Sequence, residues 1–305
     1  MGGSGESSRR KGVAGMKQNS VFITGAATGI GMGLARKLDG LGWTVFAGFN
    51  KTAPDELRRG ASERLHVVRV NIADDAQVTQ AADTVRQAVG ARGLTLLINN
   101  AAVTAAPGPI ECVDIAAFKG LMEVNFWGPL RVTQAFLPLL RQHGRGARII
   151  NVTSASIYLT IPIGGSYTIS KHALAALTDH LRMEVAPFGI EVTALEAGGV
   201  TTPMTTAGWT PDAEANLWNS MPPPLRHQYE AAFTYPGKGL ESGFKFDSPQ
   251  TYADKVYKQI ISATTLKPRY TLGIGVGILP WMHRLLSRRQ LERFSRRLLK
   301  VKAAP

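Results

Sequence analysis

The sequence predicts an α/β fold: a single doubly wound parallel sheet of about seven strands, with helices on both faces. Short runs of β-branched and aromatic residues alternate with longer stretches whose apolar residues recur at helical spacing. This alternation is typical of right-handed strand–helix–strand crossovers, which generate a parallel sheet. A glycine-rich turn separates the first predicted strand from the first predicted helix, as it does in many doubly wound sheets.

Each element has its own local signal. Strands are predicted at 19–25, 43–49, 64–72, 94–102, 146–154, 190–198 and 268–275. Helices are predicted at 29–42, 74–90, 115–144, 165–187 and 248–265. The first helix ends at Gly42, a typical C-cap, and the second has acidic residues in its first turn.

The chain divides into a tail, one domain and a C-terminal segment. Residues 1–18 are polar and rich in Gly and Ser, which predicts a disordered tail. Residues 19–275 are predicted to form the α/β domain. Its alternation is interrupted at 203–247, where Pro and aromatic residues gather. Residues 276–305 are basic, and 278–300 is predicted as one amphipathic helix.

Charge and composition exclude several classes of protein. The formal net charge is +13, but residues 1–17 carry +3 and residues 281–305 carry +7, so the 263 residues between them carry only +3. This distribution argues against nucleic-acid binding by the domain. A single cysteine, Cys112, excludes an internal disulfide framework. No apolar run reaches the length of a membrane-spanning helix, and no secretory signal precedes the domain.

The glycine turn reads TGAATGIG, from Thr24 to Gly31. A pyrophosphate needs close backbone approach, free N–H groups and the positive end of a helix, and a glycine turn between a strand and a helix provides all three. The alternative is a tight turn that binds nothing.

Five motifs in order along the chain resemble the short-chain dehydrogenase/reductase family: TGAATGIG, NNAA at 99–102, VNFWG around Asn125, NVTS ending at Ser154, and Tyr167-x-x-x-Lys171. AGGVTT at 197–202 resembles the segment that covers the nicotinamide in that family. The segments EVNFWGPLRVTQAFLPLLR and ATTLKPRYT resemble those of the branch that contains retinol, 17β-hydroxysteroid and 3-hydroxybutyrate dehydrogenases. The resemblance implies a Rossmann-type fold and an NAD(P)-dependent oxidoreductase that interconverts an alcohol and a carbonyl.

The resemblance also implies site residues. The catalytic set is Asn125, Ser154, Tyr167 and Lys171. The cofactor set, besides Tyr167 and Lys171, is Thr24, Gly25, Thr28, Gly29, Ile30, Gly31, Asn50, Lys51, Asn71, Ile72, Asn99, Ala101, Gly198, Val200 and Thr202. The chain departs from the family pattern at Ala102, Ala197 and Asn71, which stand where Gly, Pro and an acid are usual. No metal is expected.

The chemistry explains the residue types. Tyr167 is the expected general acid/base, and Lys171, one helical turn later, is expected to lower the pKa of its phenol by its charge. Ser154 is expected to hydrogen-bond the substrate oxygen, with Ser156 as a rival for that role. Asn125 is expected to hold a water that links Lys171 to solvent.

Two questions stay open on the sequence. Phe49 occupies the place where an acid selects NAD, and Lys51 could meet the 2′-phosphate of NADP, whereas several members of the branch use NAD without that acid. A non-catalytic NAD(P)-sensing regulator is the alternative of another class, although such proteins usually lack the Tyr–Lys pair.

The substrate side is predicted in 203–247, a lid that contains Trp209, Trp218, Met221, Tyr229 and Phe233. Its apolar aromatic residues suit a steroid or retinoid, unless they merely pack the lid onto the domain. A 3-hydroxybutyrate-type substrate would instead require a cation, for which Arg226 and Lys238 are candidates.

Partners are predicted from the C-terminal segment and from the family. Leu285, Leu291, Phe294 and Leu298 recur between arginines, which is typical of a helix that lies on a membrane surface, or of one that docks on protein. We therefore expect a cytoplasmic protein with peripheral membrane contact as an option. The family resemblance implies a homodimer or homotetramer built through the two long helices.

Overall fold

The structure is a computed structural model, and it describes residues 19–52, 54–104, 108–207, 211–232, 245–298 and 301. The predicted tail at 1–18 lies outside the described residues. The strands are β1 Ser20–Ile23, β2 Thr44–Phe49, β3 Leu65–Arg69, β4 Leu96–Asn99, β5 Arg148–Val152, β6 Glu191–Ala197 and β7 Arg269–Leu272. Each lies inside its predicted segment.

The helices of the domain alternate with these strands. They are α1 Gly29–Gly40, α2 Asp55–Arg58, α3 Asp75–Val89, α4 Ile115–Met122, α5 Gly128–His143 and α6 Gly165–Val185. Those of the C-terminal third are α7 Pro203–Ala207, α8 Pro211–Asn219, α9 Pro223–Ala232, α10 Pro249–Val256, α11 Leu279–Leu285 and α12 Arg288–Leu298. The short helices α7 to α9 lie in the segment where the sequence showed no clear period.

The seven strands form one parallel sheet in the order β3-β2-β1-β4-β5-β6-β7. The direction of winding reverses between β1 and β4, and in sheets of this type ligands bind beyond the carboxyl ends of the strands at that point. The predicted fold class is therefore confirmed, and the topology places the functional cleft beside the glycine turn.

Both faces of the sheet are buried. Val21 and Ile23 of β1 join one apolar cluster with Leu34 of α1, and Phe22 joins the opposite cluster, where its ring stacks on Phe136 of α5 at 4.3 Å. Alternate residues of one strand thus enter two cores, which is why Val21, Phe22 and Ile23 of β1 are all apolar.

Three predicted helices are broken. A π-helical turn, Glu123–Trp127, interrupts 115–144, and another, Tyr257–Ile261, ends the helix predicted at 248–265. The predicted single helix at 278–300 is wrong, since α11 and α12 are separate. Ser287 starts α12 with a reciprocal cap: the Ser287 N–H donates to Gln290 Oε1 at 2.7 Å, and the Gln290 N–H donates to Ser287 Oγ at 3.4 Å.

Candidate active site

The glycine turn has a geometry that only glycine accommodates well. Gly25 and Gly29 have φ values of +67° and +56°, in the left-handed region. A Cβ on Gly31 would lie 2.3 Å from the carbonyl oxygen of Gly25. The three glycines therefore allow the chain to fold tightly between β1 and α1.

Side chains from β1 and β4 anchor this turn. The Thr24 hydroxyl oxygen accepts hydrogen bonds from the N–H groups of Asn100 and Ala101, both at 3.0 Å. The Asn100 amide donates to the carbonyls of Thr24 and Gly25 at 2.9 and 3.0 Å. The Thr24 side chain thus ties the start of the turn to the residues that follow β4. Asn100, which the sequence reasoning left out, fixes its shape, and the repeated Asn of NNAA was the available signal.

The N-terminus of α1 is free to meet an anion. Thr28, its N-cap, is extended and makes no side-chain cap hydrogen bond, and no acidic residue lies in the first turn, which contains Ile30 and Gly31. The backbone N–H groups at such an end lack partners within the helix. Together with the glycine turn they suit a pyrophosphate.

The segment after β6 crosses over the glycine turn. The Gly198 N–H donates to the Leu272 carbonyl at 2.8 Å, and Val200 is buried. The Thr202 methyl carbon lies 2.9 Å from the point where a Cβ of Gly29 would stand. The segment predicted to cover a nicotinamide therefore contacts the turn predicted to hold the phosphates.

The other predicted cofactor residues lie at the ends of β2 and β3. The Asn50 amide donates to Asn71 Oδ1 at 3.4 Å, and Asn71 Oδ1 also accepts from the Ala73 N–H at 3.2 Å. Lys51 is exposed, and Ile72 is buried. The Asn71 side chain thus shapes the loop instead of standing free.

Asn99 belongs to a buried polar ladder. Its amide donates to Thr133 Oγ1 at 3.0 Å and to Asn151 Oδ1 at 2.8 Å, and the Asn151 amide donates to Thr178 Oγ1 at 2.9 Å. The ladder joins β4 and β5 to helices α5 and α6. Asn99 was predicted to serve the cofactor, but its amide nitrogen is used inside the protein.

Ser154, Tyr167 and Lys171 meet at the end of β5. The Ser154 hydroxyl interacts with the Tyr167 phenol and favours a lower pKa of that phenol. The Lys171 ammonium nitrogen lies 5.7 Å from the centre of the Tyr167 ring and donates to the Val152 carbonyl at 3.0 Å. Ser156, the rival serine, has a buried hydroxyl without a hydrogen-bond partner among the described residues.

The protonation of this group differs from the expectation. Burial raises the pKa of the Tyr167 phenol, and the neighbouring Ser154 hydroxyl offsets part of the rise. Burial also lowers the pKa of Lys171 to about 8. Lys171 was expected to lower the pKa of Tyr167, but desolvation of both groups dominates here, because the Lys171 ammonium faces a backbone carbonyl.

Asn125 is buried in the π-helical turn, and its amide has three hydrogen bonds. Its oxygen accepts from the Val103 N–H at 2.9 Å, and its nitrogen donates to the Val103 carbonyl at 2.9 Å and to Ser170 Oγ at 3.0 Å. The side chain therefore has little capacity left for a water. In a regular helix the Asn125 carbonyl would pair with the N–H of residue 129, which is Pro129 and has none.

The described part of the predicted lid packs on the domain. Leu217, Trp218 and Met221 form a buried cluster with Ile163, which lies just before α6 and has a φ of +68°. Tyr229 packs at the edge of this cluster and donates a short hydrogen bond to Glu111. Trp209 and Phe233 lie outside the described residues.

A family model described as short chain dehydrogenase matches residues 19–212, which include the glycine turn and all four predicted catalytic residues. The chain belongs to the short-chain dehydrogenase family. The predicted family is thereby confirmed. The predicted branch is confirmed as well, because the chain is similar to retinol, estradiol 17-beta- and D-beta-hydroxybutyrate dehydrogenases.

Three relatives from this family show where the similarity lies. The chain is 38% identical over 214 residues to retinol dehydrogenase 5 of Mus musculus, with 70% of this chain and 66% of that one covered. It is 33% identical over 256 residues to estradiol 17-beta-dehydrogenase 2 of Mus musculus, with 83% and 61% covered. It is 31% identical over 262 residues to mitochondrial D-beta-hydroxybutyrate dehydrogenase of Bos taurus, with 83% and 75% covered.

The chain thus spans slightly less than two thirds of the retinol and estradiol dehydrogenases it matches. Among solved structures, a short-chain dehydrogenase from Streptomyces avermitilis superposes with a TM-score of 0.73 at 23% identity, with 95% of this chain and 100% of that one covered. This similarity confirms the short-chain dehydrogenase fold. No described helix combines the length and the apolar character needed to cross a bilayer.

Proposed function

We propose that this chain is an NAD(P)-dependent oxidoreductase that interconverts an alcohol and a carbonyl on a hydrophobic substrate, a hydroxysteroid or a retinoid. One observation carries the proposal: Tyr167 and Ser154 meet beside the buried Lys171 at the end of β5, where the Ser154 hydroxyl counteracts the rise in the Tyr167 pKa. This strand neighbours β4, whose end anchors the glycine turn.

The residues fit a dinucleotide. Gly25, Gly29 and Gly31 let the turn pack tightly between β1 and α1, and the uncapped start of α1 favours a pyrophosphate. Lys51 and Asn50, which follow β2, would contact the adenosine ribose or its 2′-phosphate. When bound, the nicotinamide supplies or accepts the hydride, and its oxidised form carries a positive charge.

Tyr167 would exchange the proton that accompanies this hydride. Its raised pKa keeps the phenol protonated at neutral pH, which is the form needed to donate a proton to the oxygen of a carbonyl substrate. In the direction of oxidation, nearby positive charge must favour the phenolate, and Lys171 is the cation in place. Ser154, which lies beside Tyr167, would hold the same substrate oxygen.

Asn125 would act mainly through its backbone. The Asn125 side-chain amide is already bound to Val103 and Ser170, so we assign the proposed water to the main-chain carbonyl of Asn125. In a regular helix this carbonyl would accept from the N–H of residue 129, but Pro129 has no N–H. The amide itself holds the π-helical turn against α6.

The hydrophobic substrate class is supported by the lid. Its described residues offer apolar surface at Leu217, Trp218 and Met221, and the matched relatives include a retinol and an estradiol dehydrogenase. A hydroxybutyrate-type substrate, suggested by the bovine relative, needs a cation. Arg226 is already paired with Glu230 at 3.0 Å and Asn219 at 2.8 Å.

Replacement of Tyr167 by Phe tests the reaction. Tyr167→Phe removes only the hydroxyl, so we expect kcat to fall by at least about a hundredfold with dinucleotide binding retained, as general acid catalysis contributes 10²–10⁴-fold. Tyr257→Phe, on the far π-helical turn, is the matched control and should keep wild-type turnover. Full hydride transfer in Tyr167→Phe would contradict the proposed mechanism.

A substrate panel decides between the candidate functions. Retinol, hydroxysteroids and hydroxy acids would each be assayed with NAD and with NADP by nicotinamide absorbance. Turnover of a steroid or retinoid supports the main proposal, and turnover of hydroxybutyrate alone supports the alternative. Dinucleotide binding without turnover of any member would favour a sensing regulator.

We also propose that the protein contacts membranes peripherally and forms a homodimer or homotetramer. Ile278, Trp281 and Leu285 project from one side of α11 into solvent, beside the exposed arginines of α12. This combination suits an anionic lipid surface. Exposed apolar side chains at Trp127 and Ile169, at the start of α5 and on α6, support association of subunits.

A further inference from the structure

Tyr158 ends a short turn that begins at the proposed catalytic serine. The 3₁₀ turn Ala155–Tyr158 directly follows Ser154, which is its N-cap. Ser154 Oγ accepts from the Ser156 N–H at 3.1 Å, and the Ser154 carbonyl accepts from the Ile157 N–H at 3.3 Å. The direction of the Ser154 hydroxyl therefore depends on where this turn sits.

The far end of the turn is fixed to a buried carboxylate. The Tyr158 hydroxyl donates to Glu196 Oε2 at 2.7 Å, and Glu196, on β6, is 0% exposed. Two donors from β7 hold the same carboxylate: Thr271 Oγ1 to Oε2 at 2.5 Å and Arg269 Nη1 to Oε1 at 3.1 Å. Glu196 is thus fixed to the sheet independently of the turn, and Tyr158 ties the turn to it.

We propose that Tyr158 is a positioning residue, whose hydroxyl bonds the Ser154 turn to the sheet through Glu196 and so aims the Ser154 hydroxyl at the substrate oxygen. The inference rests on the proposed function, because it acts through Ser154. Burial and the Glu196 hydrogen bond raise the pKa of Tyr158 to about 12, so the phenol stays a donor over the working pH range.

The site is arranged so that loss of this hydroxyl acts on the turn more than on the fold. Without it Glu196 keeps Arg269 and Thr271, so the buried charge is not left unpaired. The Tyr158 ring would keep its edge contact with His283 of α11, at 5.6 Å between ring centres. What changes is the freedom of the four residues that follow Ser154.

Tyr158→Phe and Thr271→Val form a matched pair. Each removes one neutral hydroxyl donor from the same oxygen of Glu196, but only Tyr158 belongs to the Ser154 turn. We expect Tyr158→Phe to lower kcat about tenfold with KM little changed, because small errors in the placement of a catalytic group are costly. Thr271→Val should stay within about twofold of wild type, with a similar urea midpoint.

A double-mutant cycle with Ser154→Ala separates positioning from general damage. In the Ser154→Ala background, Tyr158→Phe should lower kcat less than about twofold further, because the group it aims is gone. An equal tenfold loss in that background, or equal effects of Tyr158→Phe and Thr271→Val, would overturn the inference while leaving the proposed function intact. Full activity of Ser154→Ala would overturn both.

Discussion

Lys171 is a cation with almost no contact with water, at 2% exposure, and burial lowers its pKa from the ordinary 10.5 to about 8. Below pH 8 the lysine is charged in the folded and the unfolded protein, and its burial penalty is fully present. Between pH 8 and 10.5 the folded protein loses the proton first, so stability rises with pH.

Lys171→Met should remove this pH dependence. The shift corresponds to about 3 kcal/mol. Between pH 7 and 10.5 the free energy of unfolding of the wild type should therefore rise by up to about that amount relative to that of the variant. Urea unfolding at a series of pH values measures it. Lys258→Met removes an exposed lysine as the control, and parallel pH profiles for wild type and Lys171→Met would contradict the prediction.

Residue types were predictable from local spacing, but their environments were not. Tyr167 and Lys171 lie one helical turn apart, which the sequence states directly. The direction of the Tyr167 pKa shift depends on burial and on where the Lys171 ammonium points, and the Val152 carbonyl that receives it lies 19 positions away. The contacts of the Asn125 and Asn99 amides are likewise long-range.

At the scale of the element, α1 offers two glycines with opposite environments. A Cβ on Gly31 would lie 2.3 Å from the Gly25 carbonyl oxygen, whereas nothing lies within 4 Å of one on Gly40. Gly31→Ala should therefore distort the turn and weaken dinucleotide binding at least about tenfold, or about 1.4 kcal/mol. Gly40→Ala should leave binding unchanged and stabilise the protein by about 0.5–1 kcal/mol.

Calorimetric titration with NAD and NADP, together with thermal unfolding, would check both variants. Equal dinucleotide affinity in Gly31→Ala and Gly40→Ala would show that the turn does not hold the cofactor.

The strands were predictable because every one is short, contains β-branched, aromatic or other apolar residues, and is followed by a turn signal. The interruptions of helices were not, since hydrophobic periodicity continues through the π-helical turns at 123–127 and 257–261. The break before α12 had a signal that periodicity masked: Ser287 followed three residues later by Gln290, the pattern of a capping box.

At the scale of the whole molecule, residues 281–305 carry +7 of the net charge of +13, and α11 exposes apolar side chains beside them. Trp281 and Leu285, one turn apart on α11, are 61% and 75% exposed. Arg288, Arg289 and three further arginines of α12 are exposed. In the part of the chain that the structure describes, none of these five forms an ion pair.

Membrane contact through this edge predicts salt-sensitive binding to vesicles that contain anionic lipid. Leu285→Glu should weaken that binding severalfold or more, because it places a charge at the inserting edge. Leu41→Glu, an exposed leucine at the end of α1, is the matched control and should bind as wild type does. Sedimentation with vesicles measures both, and equal binding by the two variants would exclude α11 as the contact.

The parallel sheet followed from strand–helix alternation, because that alternation predicts right-handed crossovers. The order of its strands was not predicted and is given by the structure. Packing of the segment 203–247 could not be predicted, since its aromatic residues fit a pocket and a core equally well. The structure buries Trp218 and Met221 against Ile163, a contact between distant parts of the chain.

The two ends of that segment lie together. The Thr201 N–H donates to the Asp247 carbonyl at 2.9 Å, and the Asp247 N–H donates to the Gly199 carbonyl at 3.2 Å. The Phe246 ring packs against Gly199. The 45 residues between Thr201 and Asp247 therefore begin and end at the same point, and the entropy of closing such a loop grows only slowly with its length. Changes in its length or composition need not disturb β6, β7 or Tyr167. Under the proposed function, the reaction and the choice of substrate lie in separable stretches of chain, and a chimera that exchanges residues 203–246 and keeps Val200 and Thr202 would change one without rebuilding the other.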